Sequence, residues 1–382
     1  MTLLRDPANI RVDATLGEAR PPLEATVTQV ADIAALRQRW ARLTAVPTLL
    51  TNRAEGTDKS WGGLDIRTLL AGEQSSGRFA VHSIVVAPGT GLPAHYHEDA
   101  HSYVLVVDGN LELGVGSTVQ TVGRHSLGYI PPMTRQSLTN TAPQAATVIV
   151  VNSPAGSERA YAAAQAQGRP DIGVIDADTV DALAAHGIKF DDAILDNDGL
   201  TNSDLPPIEF EFTGDNDLAR LRAAFDARPG LPRLVHTSAE EFDADGTGTS
   251  LRKELVNGDL TGGTAMLNLI SGLPGTGAPA HHQPTEDEFF FITGGQLHTT
   301  CATETVDLTA GGFAYCPRNC THGFVNNSDS SVQFVTLNSP AGHERTMARV
   351  RQRMAEGGAT PEEVHELSAA GGFVFHNPKD LG

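Results

Sequence analysis

A long internal repeat is the feature of this sequence that most constrains its fold. The segment PGTGLPAH at residues 88–95 returns as PGTGAPAH at 274–281, and NSPAGSER at 152–159 returns as NSPAGHER at 338–345. Both pairs are separated by the same 186 positions. Two repeated segments at one offset indicate a duplicated structural unit, because unrelated segments would not keep a constant spacing.

The repeat divides the 382 residues into two domains of ordinary size. We expect an N-terminal arm at 1–29, an N-terminal domain at 30–196, a polar linker at 197–214 and a C-terminal domain at 215–382. Each domain should hold its own hydrophobic core, since a chain of this length is too long for one ordinary core.

Each copy begins with a helical pattern and continues with short strand-like runs. Ile33, Leu36 and Trp40 recur at helical spacing and predict a helix with one apolar face. Runs such as FAVHSIVV and SVQFVTL follow, separated by Gly, Pro, Asn and Asp, which is typical of antiparallel sheets. Ser153 and Ser339 are expected to cap the helices that close the copies. The sequence therefore predicts a mainly β fold, with two tandem barrels and flanking α-helices.

The charge of the chain excludes several kinds of partner. The formal net charge is −19, and the acidic residues are scattered along the sequence. Nucleic acids and anionic membrane surfaces require a basic face, so we expect neither as a partner. The sequence contains no run of about 18 apolar residues, so no membrane span is expected. The first residues lack the apolar core of a secretory signal, so no signal peptide is expected.

Copy two carries two stretches that combine histidine, carboxylate and turn residues. One reads GAPAHHQPTEDEFFFITGG from Gly277 to Gly295, and the other reads GGFAYCPRNCTHGFVN from Gly311 to Asn326. They resemble the paired cupin motifs, in which His-x-His precedes a Glu and a later Pro-x-Gly-x-x-His-x-x-x-Asn follows. The resemblance implies that the chain is a bicupin, made of two jelly-roll barrels (double-stranded β-helices).

The resemblance assigns metal ligands in copy two to His281, Glu288 and His322, with Gln283 where the family usually has a second histidine. Residues i and i+2 of a strand share one face, so positions 281 and 283 should both point inward. Two histidines and one carboxylate suit one divalent transition metal, with Fe preferred and Mn, Ni, Co or Zn also compatible. Gln283 would offer an amide oxygen, or would hydrogen-bond a metal-bound water or substrate.

Copy one keeps the barrel pattern but has fewer ligand residues. His95 and His97 preserve the histidine pair, whereas Ser102 stands in the Glu position and Gln136 replaces the later histidine. His101 lies one residue before the Glu position. It would be a third ligand only if the gap between His97 and the ligand position were three residues rather than four. We therefore expect the metal in the C-terminal barrel, and in the N-terminal barrel a relic or a pocket that binds substrate without an ion.

The remaining cysteine and histidine residues are predicted to be structural. An odd number of cysteines in a large chain, here Cys301, Cys316 and Cys320, indicates reduced thiols and predicts a cytoplasmic protein. Cys316 and Cys320 lack a second pair that would complete a zinc cage, so buried structural roles are favoured. His282 should point away from the site, and His343 should be exposed near the start of a helix.

Within the cupins, copy two resembles the quercetin-dioxygenase-like branch through H-H-Q-P-T-E-D-E-F-F-F-I-T-G-G and L-N-S-P-A-G. The resemblance implies a metal-dependent dioxygenase that acts on an aromatic or polyketide-like small molecule. Glu288 would serve as a ligand and as the catalytic proton acceptor, while Phe290 and Ile292 would form the apolar wall of the substrate pocket. Ser102 would line the corresponding pocket of copy one.

Two other functions remain open at this point. Related barrels act as isomerases or cyclases without redox chemistry, and the incomplete ligand sets favour that alternative. The other open function is that of a non-catalytic protein that binds a small molecule. The oligomeric state is open as well, because one chain already contains two barrels and could act alone or as a homodimer.

Overall fold

The computed structural model describes residues 20–51, 57–167, 175–191, 199–214, 216–237, 243–244 and 250–377. The prediction about a signal peptide concerns chiefly the first 19 residues, which lie outside these ranges. Residues 197 and 198 of the predicted linker also lie outside them.

The N-terminal copy is a run of short strands between helices, as its pattern predicts. Its elements are, in order, α1 (Val30–Trp40), β1 (Thr48–Leu50), β2 (Thr57–Trp61), β3 (Leu64–Leu70), α2 (Gly72–Ser75), β4 (Ala80–Val86), β5 (Gly91–His97), β6 (His101–Asp108), β7 (Leu111–Val115), β8 (Thr118–Val122), β9 (Leu127–Ile130), β10 (Gln136–Thr139), β11 (Ala146–Ser153), α3 (Ser157–Ala166), α4 (Ala177–Ala184) and β12 (Ile188–Lys189). The apolar face of α1, formed by Ile33, Leu36 and Trp40, is buried.

The C-terminal copy repeats this order. Its elements are α5 (Asp217–Asp226), β13 (Arg233–Val235), β14 (Asp243–Ala244), β15 (Ser250–Val256), α6 (Gly258–Thr261), β16 (Met266–Gly272), β17 (Gly277–His282), β18 (Asp287–Gly294), β19 (Gln296–Cys301), β20 (Glu304–Thr309), β21 (Phe313–Cys316), β22 (His322–Val325), β23 (Val332–Ser339), α7 (His343–Ala355), α8 (Pro361–Ala370) and β24 (Val374–Phe375). Among the described helices, none has both the length and the apolar character needed to cross a bilayer.

Each barrel is built from two facing antiparallel sheets. The N-terminal barrel has the strand orders β13-β9-β6-β11-β4-β3-β2 and β12-β5-β10-β7-β8. The C-terminal barrel has the orders β1-β21-β18-β23-β16-β15-β14 and β20-β19-β22-β17-β24. The prediction of a mainly β chain with two tandem jelly-roll barrels and flanking helices is therefore confirmed.

The two barrels exchange edge strands, which the sequence pattern did not predict. Strand β1 belongs to the N-terminal copy but pairs with β21 of the C-terminal barrel, with Thr48 opposite Tyr315. Strand β13 of the C-terminal copy pairs in return with β9, with Arg233 opposite Tyr129. Each exchanged strand covers a sheet edge that would otherwise expose unpaired backbone groups.

A shared hydrophobic core lies between the barrels. Phe79 of the N-terminal barrel packs edge-to-face on Phe289 of the C-terminal barrel, with ring centroids 4.9 Å apart. Burial of one such side chain stabilises the fold by about 1.5–3 kcal/mol, so the contact holds the copies together. Members of this core include Leu69, Tyr103, Leu105 and Tyr129 from one copy and Leu255, Phe291, Phe313 and Tyr315 from the other.

The repeated NSPAG-x-ER segment ties the closing helix of each copy to a short helix beside the barrel. The buried carboxylate of Glu158 accepts hydrogen bonds from the backbone N–H groups of Gly72 (3.0 Å) and Gly156 (2.9 Å). Glu344 does the same in copy two. The predicted serine caps are wrong: α3 and α7 are preceded by Gly156 and Gly342, because the chain uses three more residues to turn from the last strand into the helix.

The repeated PGTG turn leads into the strand that carries the first candidate ligand. Gly89 and Gly275 have φ angles of 74° and 90°, a left-handed conformation that glycine adopts without steric cost. Gly91 and Gly277 meet a second constraint, since a Cβ atom would lie 2.1 and 2.4 Å from the carbonyl oxygens of Leu138 and Phe324. Glycine therefore permits the close strand contact that positions the ligands.

Candidate metal centre

Three side chains of ligand type converge inside the C-terminal barrel. His281 lies on β17, Glu288 on β18 and His322 on β22, and one candidate ligand atom from each lies within 4.8 Å of the others. Glu288 Oε2 is 2.8 Å from His322 Nε2 and 3.8 Å from His281 Nε2. Ligand bonds near 2 Å place two ligand atoms of one ion about 3–4 Å apart. The three groups thus have nearly the separation that one ion requires.

Strand pairing brings these residues together. His281 and His322 are direct partners across the β17–β22 pair, so their side chains project from neighbouring strands. Glu288 lies opposite Cys316 on the adjoining β18–β21 pair. Residues separated by 34 or 41 positions in the sequence therefore share one small buried space.

The hydrogen bonds at Nδ1 orient the rings of both histidines. His281 Nδ1 donates to the carbonyl oxygen of Pro279 (2.8 Å), and His322 Nδ1 donates to that of Cys320 (2.9 Å). A carbonyl oxygen only accepts, so Nδ1 must carry the proton and Nε2 is left facing Glu288. This arrangement orients each imidazole as metal-binding histidines usually are oriented.

Two buried polar atoms beside Glu288 have no hydrogen-bond partner in the described part of the chain. They are His281 Nε2 and the amide oxygen Oε1 of Gln283. The amide nitrogen of Gln283 donates to Glu288 Oε2 at 3.1 Å, which fixes the orientation of the amide. Both unpartnered atoms are electron-pair donors, so the residues present fit a bound cation.

The ionisation states of the three groups are coupled. Burial would raise the pKa of Glu288, but the two imidazoles beside it, His281 at 3.8 Å and His322 at hydrogen-bond distance, hold that pKa well below its usual range. Burial lowers the pKa of His281 to about 4. Burial also lowers the pKa of His322, but its hydrogen bond to Glu288 outweighs this and raises the pKa above its ordinary value. Without a metal the centre therefore holds an ionised carboxylate beside two buried imidazole rings.

Aromatic rings enclose the centre. Phe373 stacks on the ring of His281, with centroids 3.8 Å apart and planes 18° apart, and Phe375 lies 5.8 Å from the same ring. Phe290 lies 6.2 Å from His322 and, with Ile292, belongs to the core of this barrel. Phe373 and Phe375 were missed by sequence reasoning, although the chain returns to the barrel after the closing helices in both copies.

A short C-terminal strap holds Phe373 and Phe375 in place. Strand β24 pairs with β17, with Phe375 opposite His281. The N–H of His376 donates to the carbonyl oxygen of Ala280 at 3.0 Å. In copy one β12 pairs with β5 in the same way, and Phe190 lies 5.4 Å from His95. The strap is therefore part of the repeated unit.

His343 is buried, so the prediction that it is exposed is wrong. Its Nδ1 lies 2.7 Å from Glu286 Oε2, and the other oxygen of Glu286 pairs with Arg222. Burial lowers the pKa of His343, but the charge of Glu286 outweighs this and raises it. The start of α7 packs against the turn between β17 and β18, which sequence spacing does not reveal. His343 is also 6.2 Å from Phe373 and so supports the strap.

The cysteines are free and buried, as predicted, and lie together behind the centre. Cys301 Sγ is 3.1 Å from Cys316 Sγ and 3.5 Å from Cys320 Sγ. Burial raises the pKa of Cys316 to about 11, so its sulfur remains a neutral thiol. These sulfurs pack in the core of the barrel.

The N-terminal barrel brings together a neutral set of polar groups. Gln136 Nε2 donates to Ser102 Oγ at 3.3 Å, and Asn152, which sequence reasoning did not single out, donates to the same oxygen at 2.8 Å. Burial lowers the pKa of His95 to about 4 and that of His97 to about 3. The cavity between these residues is only about 10 Å³, room for about one water molecule.

His101 lies outside this group, and its suggested role as a third ligand is not supported. Its Nδ1 lies 3.1 Å from the hydroxyl of Tyr129, whose side chain belongs to the core between the barrels. The next residue, Ser102, points into the barrel instead. Because successive strand residues face opposite sides, a single residue of register decides which of the two faces the histidine pair.

Comparison with known proteins agrees with this architecture. The family model described as the cupin domain matches residues 82–152 and 269–338, once in each copy. The chain thus contains two cupin domains in tandem and is a bicupin of the cupin superfamily. No curated protein sequence matches it significantly.

Solved structures share the fold at low sequence identity. The protein Ylba from E. coli has 10% identity and a TM-score of 0.50, over 79% of this chain and 96% of that one. Procruciferin, an 11S globulin from Brassica napus, has 10% identity and a TM-score of 0.50, over 79% and 86%. An oxalate decarboxylase from Lactobacillus farciminis has 14% identity and a TM-score of 0.49, over 85% and 97%. At these identities the likeness concerns the fold alone.

Proposed function

We propose that the C-terminal barrel binds one divalent transition metal through His281, Glu288 and His322. The observation that carries the proposal is the pair of buried, unpartnered donor atoms, His281 Nε2 and Gln283 Oε1, beside an ionised carboxylate. A buried polar atom without a partner costs about 1–3 kcal/mol, and a cation would satisfy both. Two imidazoles, a carboxylate and an amide oxygen favour Fe(II), and Mn, Ni, Co and Zn are compatible.

The chemistry that we propose for this centre is dioxygenation of an aromatic or polyketide-like small molecule. A metal held there would supply Lewis acidity that makes a substrate hydroxyl more acidic, and the electrons that reduce O₂ would come from the substrate. Glu288 stays ionised at neutral pH because its pKa is lowered, so it is available to accept a proton from a substrate hydroxyl. The rings of Phe290 and Phe373 exclude water from the reacting atoms.

Metal analysis of the purified protein tests the metal site. We expect about one metal ion per chain in the wild type and almost none in His322→Ala, since removal of one of three ligands leaves too few. His298→Ala is the matched control, because His298 pairs with Asp307 on the outside of the same barrel. Glu288→Gln serves as a second ligand variant, and circular dichroism checks folding. A folded His322→Ala protein with full metal content would overturn the proposal.

Oxygen uptake tests the reaction. With phenolic ketones that carry a hydroxyl beside the carbonyl, we expect stoichiometric O₂ consumption by the metal-loaded protein and none by His322→Ala. Conversion of the same compounds without O₂ would instead favour an isomerase or cyclase. Tight binding without conversion would identify a small-molecule-binding protein.

A further inference from the structure

A cavity of about 210 Å³ lies between the two barrels, away from the metal centre. Its walls come from both copies and are mostly apolar. They include Leu69, Val107 and Ile149 from the N-terminal barrel, with Phe291, Ile292 and Phe313 from the C-terminal barrel. Ligand pockets often occur where domains meet, because two surfaces can enclose a molecule that neither could bury alone.

The cavity lies at the axis of the internal repeat. Val107 and Thr293 are equivalent positions of the two copies, and so are Arg124 and Ala310, yet all four line the same space. Residues related by a pseudo-twofold operation meet only near its axis. The copies differ there, because one supplies a charged side chain where the other supplies alanine.

Polar groups of the N-terminal copy line this mostly apolar space. Ser83 is 2% exposed and lines the cavity. The guanidinium of Arg124 is held at the rim by the carbonyl oxygen of Thr293 and by Gln333 Oε1. In the described part of the chain no ion pair joins Arg124 or Asp108 to another charge, nor the two to each other. The rim thus carries one positive and one negative charge that no ion pair among the described residues neutralises.

We propose that this cavity binds a zwitterionic amino acid with an aromatic side chain. A cavity of about 150 Å³ lined by apolar side chains accommodates benzene, so the larger space here has room for a ring and a short chain. The carboxylate of the ligand would pair with Arg124, its ammonium with Asp108, and its ring would pack on Phe291 and Phe313. The site is independent of the proposed metal centre.

Calorimetric titration with L-phenylalanine and two truncated analogues tests the proposal. 3-Phenylpropanoate lacks the ammonium group, and 2-phenylethylamine lacks the carboxylate. We expect Arg124→Gln to weaken phenylalanine and 3-phenylpropanoate at least about threefold and to leave 2-phenylethylamine unchanged. Asp108→Asn should weaken phenylalanine and 2-phenylethylamine by a similar factor and leave 3-phenylpropanoate at least as tightly bound.

Two controls separate this cavity from other sites. Val107→Phe changes no charge but fills the cavity, so it should abolish binding of all three probes. Arg42→Gln lies on an exposed loop outside the cavity and should leave all three affinities unchanged. The phenylalanine affinity should be the same before and after metal removal. The proposal is overturned if no probe binds at about 10 mM, if both charge variants bind phenylalanine like the wild type, or if metal removal abolishes binding.

Discussion

Acid should destabilise the N-terminal barrel through His82, which lies on β4 and is fully buried. Its ring nitrogens contact only hydroxyls, Ser157 Oγ at 2.8 Å and Thr68 Oγ1 at 3.3 Å, so no negative charge compensates a proton. Burial lowers the pKa of His82 to about 3 from its ordinary 6.5. Between these two pH values the unfolded chain binds more protons than the folded chain, so the free energy of unfolding falls as the pH falls below 6.5.

The linkage relation gives the size of this effect. With a pKa of about 3 when folded and 6.5 when unfolded, His82 alone costs about 2 kcal/mol of stability near pH 5. That is a large share of the roughly 5–15 kcal/mol by which domains are stable. His95 and His97, whose pKa values burial also lowers, add to the loss in the same direction.

Guanidinium unfolding followed by tryptophan fluorescence measures this loss. Trp40 and Trp61 are the two tryptophans of the chain, and both lie in the N-terminal copy. We expect His82→Gln to lose about 2 kcal/mol less stability than the wild type between about pH 7.5 and pH 5. His298→Gln, which alters a partly exposed histidine paired with Asp307, should follow the wild type. Equal losses in the wild type and His82→Gln would refute the reasoning.

Three more substitutions test the metal centre and the contact between the barrels. Phe373→Ala removes the ring stacked on His281, so transfer of bound metal to a colorimetric chelator should be roughly tenfold faster. Gln283→His replaces an amide oxygen by an imidazole, so metal affinity measured by chelator competition should rise at least about tenfold. Asp287→Asn removes a buried charge that pairs with Arg78 and Arg318, so the free energy of unfolding in guanidinium should fall by about 3 kcal/mol. The controls are Val119→Ala and Asp307→Asn, both at exposed positions. A test variant that behaves like its control would contradict the corresponding prediction. The prediction for Gln283→His also fails if this variant binds metal no more tightly than the wild type.

Much of the candidate centre could be anticipated because it depends on local rules. His281 and Gln283 lie two residues apart, and the alternation of a strand places both on one face. The role of His101 could not be decided in this way. A gap of three residues after His97 would make His101 the third ligand, whereas a gap of four would place Ser102 there instead. The hydrogen bond from His101 to Tyr129 resolves the choice, because it requires the register in which Ser102 points inward.

The surroundings of the centre depend on contacts that no local pattern encodes. Phe373 follows the last helix, and only the return of the chain onto β17 brings its ring over His281. The pairing of His343 with Glu286 spans 57 positions. A side chain at the start of a helix is usually exposed. His343 is buried because the start of α7 packs against the turn that carries Glu286.

The sequence by itself determined the number of barrels, their order and the residues that could hold a metal. A repeat offset and a two-residue alternation are properties of the covalent chain, so they can be read before it folds. Only the tertiary structure decided that the barrels exchange β1 and β13, that a strap covers the candidate metal centre, and that a mostly apolar cavity with charged groups at its rim lies at their junction. These features depend on which distant surfaces bury each other, and burial is a property of the whole packed molecule rather than of any segment.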